Sequence, residues 1–313
     1  FQGEEDTYTV EYTTDGQSLN LVYSDSTKGW LPLEDDVAAD EPAAPQTQKG
    51  IFAYGGGTVS MSNLVNSSGV VASDTTGVGT GREGLAAASY GLDKAIYAYG
   101  HDGTSNVSMS NLVSNSGVVA TDTTGVGSAR NGLAAAEYGV DKAIFGYGTT
   151  GSITGITNLV NSSGVVSSDV SGVGTARNYI AATRYGLDKA IFGYGMNASN
   201  TNVSMSNLVT NLGVVGSDVT GVGTARRVLS GTGYGSTGQA LFAYGFVGGE
   251  TYTAVSNLVS NTGVVATDTS GTNDAKTGRG ATNYGGDKAI FAFGYHPGSD
   301  SYINTRNLVN NVG

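Results

Sequence analysis

Past residue 48 the chain is a succession of short apolar runs, cut apart by glycine, asparagine, aspartate and serine. The runs favour β-branched, aromatic and small side chains. None sustains the 3.6-residue recurrence of an amphipathic helix, so each predicts a strand. One stretch shows the arrangement: Leu133–Tyr138, Ala143–Tyr147, Val107–Val113 and Val118–Thr121 are expected strands with turn residues between them. Glycine makes up 50 of 313 residues but falls at fixed intervals between the runs, which predicts an ordered, turn-rich chain.

The runs recur. KGIFAYG at 49–55 returns as KAIYAYG at 94–100 and in close variants at 142–148, 189–195, 239–245 and 288–294. Asn-Leu-Val begins at Asn63, Asn111, Asn158, Asn207, Asn257 and Asn307, with spacings of 48, 47, 49, 50 and 50. Gly-Val-Val begins at Gly69, Gly117, Gly164, Gly213 and Gly263. A period near 50 marks a repeat architecture, and four strands per ~50 residues is the unit of a β-propeller blade. The expected fold is all-β: a propeller of six blades of four-stranded antiparallel sheets over residues 49–313, preceded by a short β module at 1–33 and an acidic linker at 34–48. The second and third strands occur six times, the inner and fourth only five times each. The first blade therefore lacks its inner strand and the sixth its outer one. Thr7–Tyr12, Leu19–Tyr23 or residues following Gly313 are the alternatives for closing the ring.

The order Arg130, Leu133-Ala-Ala-Ala-Glu-Tyr-Gly139, Asp141-Lys-Ala-Ile-Phe-Gly-Tyr-Gly148, Ile156–Val160 and Val165–Asp169 resembles a kelch repeat. The resemblance implies that the Leu-Ala-Ala-Ala strand is innermost, where small side chains avoid crowding around an axis. It departs from kelch in replacing the double glycine by Gly-Tyr-Gly or Ala-Tyr-Gly and in lacking the late tryptophan. The Ile-Phe and Leu-Val runs are expected to fill the core between blades, with Leu112 and Ile144 as examples.

Charge changes the picture only at the N-terminus. Residues 1–48 hold eleven acids and one base, Lys28, leaving 15 acids and 14 bases in the other 265 residues. A body of net charge −1 has no electrostatic footprint for phosphate backbones, so nucleic acid is not an expected partner. No apolar stretch approaches the ~20 residues of a membrane helix, so no membrane insertion is expected. The absence of cysteine removes disulfides and thiolate metal sites.

Thr7–Tyr12 and Leu19–Tyr23 read as strands joined across Asp15-Gly16, and Glu34–Gln48 as a solvated linker. The stretch Asp15-Gly-Gln-Ser-Leu-Asn-Leu-Val-Tyr-Ser-Asp-Ser-Thr-Lys-Gly-Trp30 resembles the end of a small β module common in tail-fibre and other virion structural proteins of bacteriophages. Phe1-Gln-Gly3 fits the same module and reads as a start inside a longer chain. The repeat body, too, resembles propeller repeats of phage structural proteins.

Candidate chemistry is thin. Asp74, Asp122, Asp169, Asp218 and Asp268 recur once per repeat. Five carboxylates facing an axis would hold a cation; the blander expectation is that each caps the turn that follows it. Arg82, Arg130, Arg177, Arg226 and Lys276 follow each Asp by eight residues. They suit binding of anionic sugars, pairing with the aspartates, or a structural role between blades. His101 and His296 have no recurring partner, and Gly77-Val-Gly79 is a turn signal with no helix behind it. No catalytic residue, metal site or cofactor is expected.

The repeats differ most in the loop after each second strand. The later loops carry Phe246, Tyr252, Tyr295, His296 and Tyr302, candidates for a carbohydrate- or protein-binding face, with tolerated loop variation as the alternative. The resemblances imply a non-enzymatic virion protein, a tail fibre or surface appendage. Its partners would be other virion proteins and a host surface glycan or receptor, with a homotrimer through residues 1–48 as one assembly. A glycan-acting depolymerase and a purely structural spacer are the alternatives.

Overall fold

The computed structural model of the chain describes residues 21–25, 29–32, 49–271 and 275–313. The chain divides into two units, Phe1–Gln46 and Thr47–Gly313. In the first, β1 (Leu21–Asp25) pairs antiparallel with β2 (Gly29–Pro32), setting Tyr23 opposite Trp30. Thr7–Tyr12, the Asp15-Gly16 turn and the linker lie outside the described residues.

The second unit is all-β and built from many small antiparallel sheets. Among the described residues the one helical piece is a single 3-10 turn at Pro297–Ser299. Repeats are numbered here by their asparagines, from repeat 1 (Asn63) to repeat 6 (Asn307). Repeat 1 contributes β3 (Gly50–Gly55) and β4 (Val59–Val65), paired with each other. Repeat 2 contributes β5 (Ala86–Tyr90), β6 (Lys94–Ala98) and β7 (Ser110–Val113) in that spatial order. Repeat 3 does the same with β8 (Ala134–Tyr138), β9 (Lys142–Gly146) and β10 (Thr157–Val160). Repeats 4, 5 and 6 keep the three-stranded order, their inner strands being Ala181–Tyr185, Ser230–Tyr234 and Gly280–Tyr284.

The expected fourth strand is not a continuous ladder. In repeat 2 it touches β7 through isolated bridges Val113↔Val119 and Ser110↔Thr123. Between them the Ala120 amide donates to the Leu112 carbonyl. The glycine-led, serine- and threonine-rich sequence there holds pairing only at intervals. Repeats 1, 3, 4 and 5 have the same pair of bridges. Repeat 1 has no inner strand among the described residues, and repeat 6 has no outer stretch.

Register explains the core. Ala88, Ile96 and Leu112 are paired across β5, β6 and β7, so they share one face of the sheet; Ala87, Tyr97 and Asn111 share the other. The isoleucine face of each repeat packs on the phenylalanine face of the next. Ile96 and Tyr99 meet Ala143 and Phe145, and Ile144 and Tyr147 meet Ala190 and Phe192. The series continues through repeats 4, 5 and 6, and the isoleucine face of repeat 6, with Ile290 and Ala292, packs on Phe52 and Val65 of repeat 1. Six sheets thus have six core layers between them. Ile144 is fully buried at its centre, while Leu112 is only half-buried.

An unusual backbone feature recurs at the end of each second strand. Tyr54, Tyr99, Tyr147, Tyr194, Tyr244 and Phe293 all adopt φ between 60° and 66°. A non-glycine residue in this region costs on the order of 1–2 kcal/mol. The strain turns the ring out of its own sheet into the next core layer, where it meets an aromatic edge at 5.1–5.6 Å: Tyr99–Phe145, Tyr147–Phe192, Tyr194–Phe242, Tyr244–Phe291, Tyr54–Tyr97 and, from repeat 6 to repeat 1, Phe293–Phe52.

Candidate functional site

Two sets of polar and aromatic side chains stand out, one buried and repeated, one half-buried on the loops and particular to two repeats.

The buried set is built on arginine. Arg82, Arg130, Arg177 and Arg226 lie in the connections between repeats and are wholly buried. Each guanidinium rests on the strained tyrosine of the preceding repeat, at 4.1 Å for Arg130 over Tyr99 and 4.3 Å for Arg226 over Tyr194. Arg130 donates to Asn158 Oδ1 at 2.7 Å, and Asn158 Nδ2 donates in turn to Asp169 at 2.9 Å. The Asp169 carboxylate then accepts from the amide and hydroxyl of Ser128, 41 residues earlier. Asp122, Asp218 and Asp268 do the same with Thr80, Thr175 and Thr224.

For Asp122, Asp169, Asp218 and Asp268 the expectation that each aspartate caps the turn following it is therefore corrected. It holds the connection entering its own repeat, and the arginine that matters to it lies upstream, not eight residues downstream. A regular one-per-repeat spacing hid which neighbour was the partner. Burial works to raise these four carboxyls, but the hydrogen bonds from Thr or Ser and Asn, with the arginine charge, outweigh it and hold them below the ordinary carboxylate value. They are spent on the scaffold. Among the described residues no group of three His, Asp or Glu side chains is placed to hold a metal ion.

In repeat 6 the pattern shifts. Lys276 occupies the arginine position and donates to Thr305 Oγ1, and the guanidinium over Tyr244 comes instead from Arg279, three residues on.

The loop set consists of the expected loop residues, and the structure brings four of the five into one row, half-buried except for the exposed Tyr302. Phe246–Gly248 pairs with Thr251–Tyr252, and Tyr295–His296 with Ser301–Tyr302, so each loop is a miniature ribbon. Ring centroids run Phe246–Tyr252 5.1 Å, Tyr252–Tyr295 6.4 Å and Tyr295–Tyr302 6.0 Å. Tyr302 is 72% exposed and its ring lies over Gly56 in the first loop, where a Cβ would collide with it. The hydrogen bond that Tyr295 donates to Asp300 pushes its phenol up to about 12, so it stays neutral. His296 adjoins the row, its Nδ1 accepting from the Ser299 amide at 3.2 Å.

Neighbouring loops are stitched together. Asn106 donates to the Thr149 carbonyl, and Asn202 to the carbonyls of Phe246 and Val247. One member of the row went unnoticed in the sequence: Arg227, whose guanidinium sits 4.7 Å above the Phe246 ring. The signal was available as Arg226-Arg227, the one place where a second arginine follows the repeated one. The row thus offers aromatic edges and faces, phenol hydroxyls and one cation, a surface for stacking and hydrogen bonding.

No protein-family model and no curated protein matches the chain.

Proposed function

We propose that the repeat body is a kelch-like β-propeller of six blades. We further propose that the protein is a non-enzymatic structural component of a bacteriophage virion, a tail fibre or surface appendage, whose loop face binds a host surface glycan or receptor. The propeller reading is supported by the six core layers for six sheets, the last joining repeat 6 to repeat 1. The virion reading is supported by the resemblance of Asp15–Trp30 and of the repeats to phage structural proteins. On that reading residues 1–33 join the propeller to other virion proteins.

The observation that carries the binding reading is the Phe246–Tyr252–Tyr295–Tyr302 row, assembled from loops of two repeats and ending in an exposed ring. The repeated arginines are linked to the aspartates through the asparagines inside the layers, whereas this row lies on loops that differ from every other repeat and ends in an exposed ring.

The test is adsorption of the labelled chain to a panel of bacterial cells, before and after removal of surface polysaccharide. Saturable binding to some strains, lost on stripping and in the Tyr252→Ala, Tyr295→Ala and Tyr302→Ala variants, is the expected outcome. Shortening of the polysaccharide by the chain would favour a depolymerase. Binding to no strain, with capture by virion proteins, would favour a spacer.

A further inference from the structure

The six loops that follow the second strands hold three carboxylates, Asp102, Glu250 and Asp300, and no lysine or arginine. The repeated cations at that end of the sheets are shut inside the layers: Arg82, Arg130, Arg177 and Arg226 are wholly buried, and Lys276 and Arg279 nearly so. Arg227 lays its guanidinium over Phe246 and directs Nη1 to Met196 Sδ at 2.8 Å. An anionic ligand would therefore meet like charge at the loop tips.

Two of the three carboxylates stand at the tips of the ribbons that carry the aromatic row. The residue before the returning arm is left-handed in repeats 4, 5 and 6: Asn200 at φ 56°, Glu250 at 64° and Asp300 at 47°. In the loops of repeats 2 and 3 the left-handed turn residue is a glycine, Gly103 and Gly151. Asparagine and aspartate are the side chains this region tolerates best after glycine, whereas glutamate is strained there. Glu250 and Asp300 are both exposed. Asp102 instead closes its own turn, accepting from the Thr104 and Ser105 amides at 2.8 Å each.

An aromatic ring beside a carboxylate is how this protein holds cations elsewhere. Arg82 lies 4.8 Å over the Tyr54 ring and 3.6 Å from the Asp122 carboxylate. The row repeats that combination on the surface. Its Phe246 end is taken by Arg227. At its other end the Asp300 carboxylate accepts from the Tyr295 phenol, and Tyr302, two residues on, is 72% exposed. Among the described residues no cation lies over the Tyr295 or Tyr302 ring.

We propose that the glycan taken by the loop face carries an organic ammonium group, the protonated amine of an amino sugar or a quaternary ammonium substituent. The cation seats on the Tyr295–Tyr302 end of the row, with Asp300 and Glu250 as its counter-charges. The inference rests on the reading of the loop face as a glycan-binding surface and narrows its ligand.

The test is titration of the full chain with an end-labelled glucosamine oligosaccharide and with the same oligosaccharide N-acetylated, at about pH 6, where the amines are protonated. Saturable binding of the amine form is expected, about tenfold tighter than the acetylated one. Asp300→Asn and Glu250→Gly should each weaken it about twofold to fivefold, Glu250→Gly without lowering the melting midpoint, since glycine suits that backbone. Tyr302→Ala, which leaves every charge in place, should weaken it by a similar factor. Competition separates the two sources: displacement by glucosamine at lower concentration than by choline assigns an amino sugar, and the reverse order a quaternary ammonium. Equal binding of the acetylated oligosaccharide, or binding of the amine form that survives Tyr302→Ala, would overturn the inference. So would no binding of either cation by a chain that still adsorbs to cells through Tyr252, Tyr295 and Tyr302, and that result would leave the loop-face reading standing. Failure of the oligosaccharides together with adsorption indifferent to those three tyrosines would overturn both.

Discussion

The layers between repeats and the loops on one end of them use the same residue types to opposite ends. Between repeats, arginine, tyrosine, asparagine and aspartate recur almost unchanged and contact one another, as in Arg130, Tyr99, Asn158 and Asp169. On the loops, Phe246, Tyr252, Tyr295 and Tyr302, with Arg227 packed over the first of them, belong to repeats 5 and 6 alone and form a half-buried row that ends in the exposed Tyr302 ring. A residue that recurs because every layer needs it says little about a ligand. A residue that appears where the repeats diverge is free to serve one.

The comparison breaks if the buried arginines prove dispensable. Arg130→Ala should cause the largest loss, about 3–5 kcal/mol by chemical denaturation, because it leaves the buried Asn158 without its donor, uncovers the strained Tyr99 and empties the space of a wholly buried side chain. Ile144→Ala, deep in the layer between repeats 3 and 4, should cost about 2–5 kcal/mol, and Leu112→Ala less, since Leu112 is half-buried.

Acid should unpick the same layers more gently. The four bonded aspartates are more acidic in the folded chain than in the unfolded one. Their stabilisation is therefore complete above the ordinary carboxylate value of about 4 and drains away as the pH falls through their lower folded values. Unfolding midpoints measured from pH 8 to pH 2 should fall in that window, and Asp169→Asn should flatten the fall. A midpoint that instead dropped between pH 8 and 6 would implicate other groups.

Tyr302→Ala should change stability least, within about 0.5 kcal/mol, since the ring is mostly in solvent. If it also leaves adsorption unchanged, the contrast between scaffold and loop face loses its functional meaning.

Much of this architecture was legible in the sequence. The period of the Asn-Leu-Val and Ala-Tyr-Gly motifs located the strands and their order, because each repeat restates the same solution to the same packing problem. The loop aromatics were legible as a departure from that repetition. The fourth stretch was overestimated as a strand, since its β-branched residues said nothing of how often its glycines and serines interrupt the ladder. The direction of the Asp–Arg pairing was hidden, because in a periodic chain the partner upstream and the one downstream lie at equally regular spacings.

What the sequence determined by itself, then, is the all-β character, the repeat and which residues are constant in it, since these follow from the chain's own periodicity. Tertiary structure decided which constant residue meets which. It turned six aromatic residues into the left-handed region to reach the next layer, set Arg279 where Lys276 falls short, and drew Tyr252 and Tyr295 from separate repeats into one row. Those choices depend on distances between segments some 40–50 residues apart, and such distances exist only once the sheets have packed.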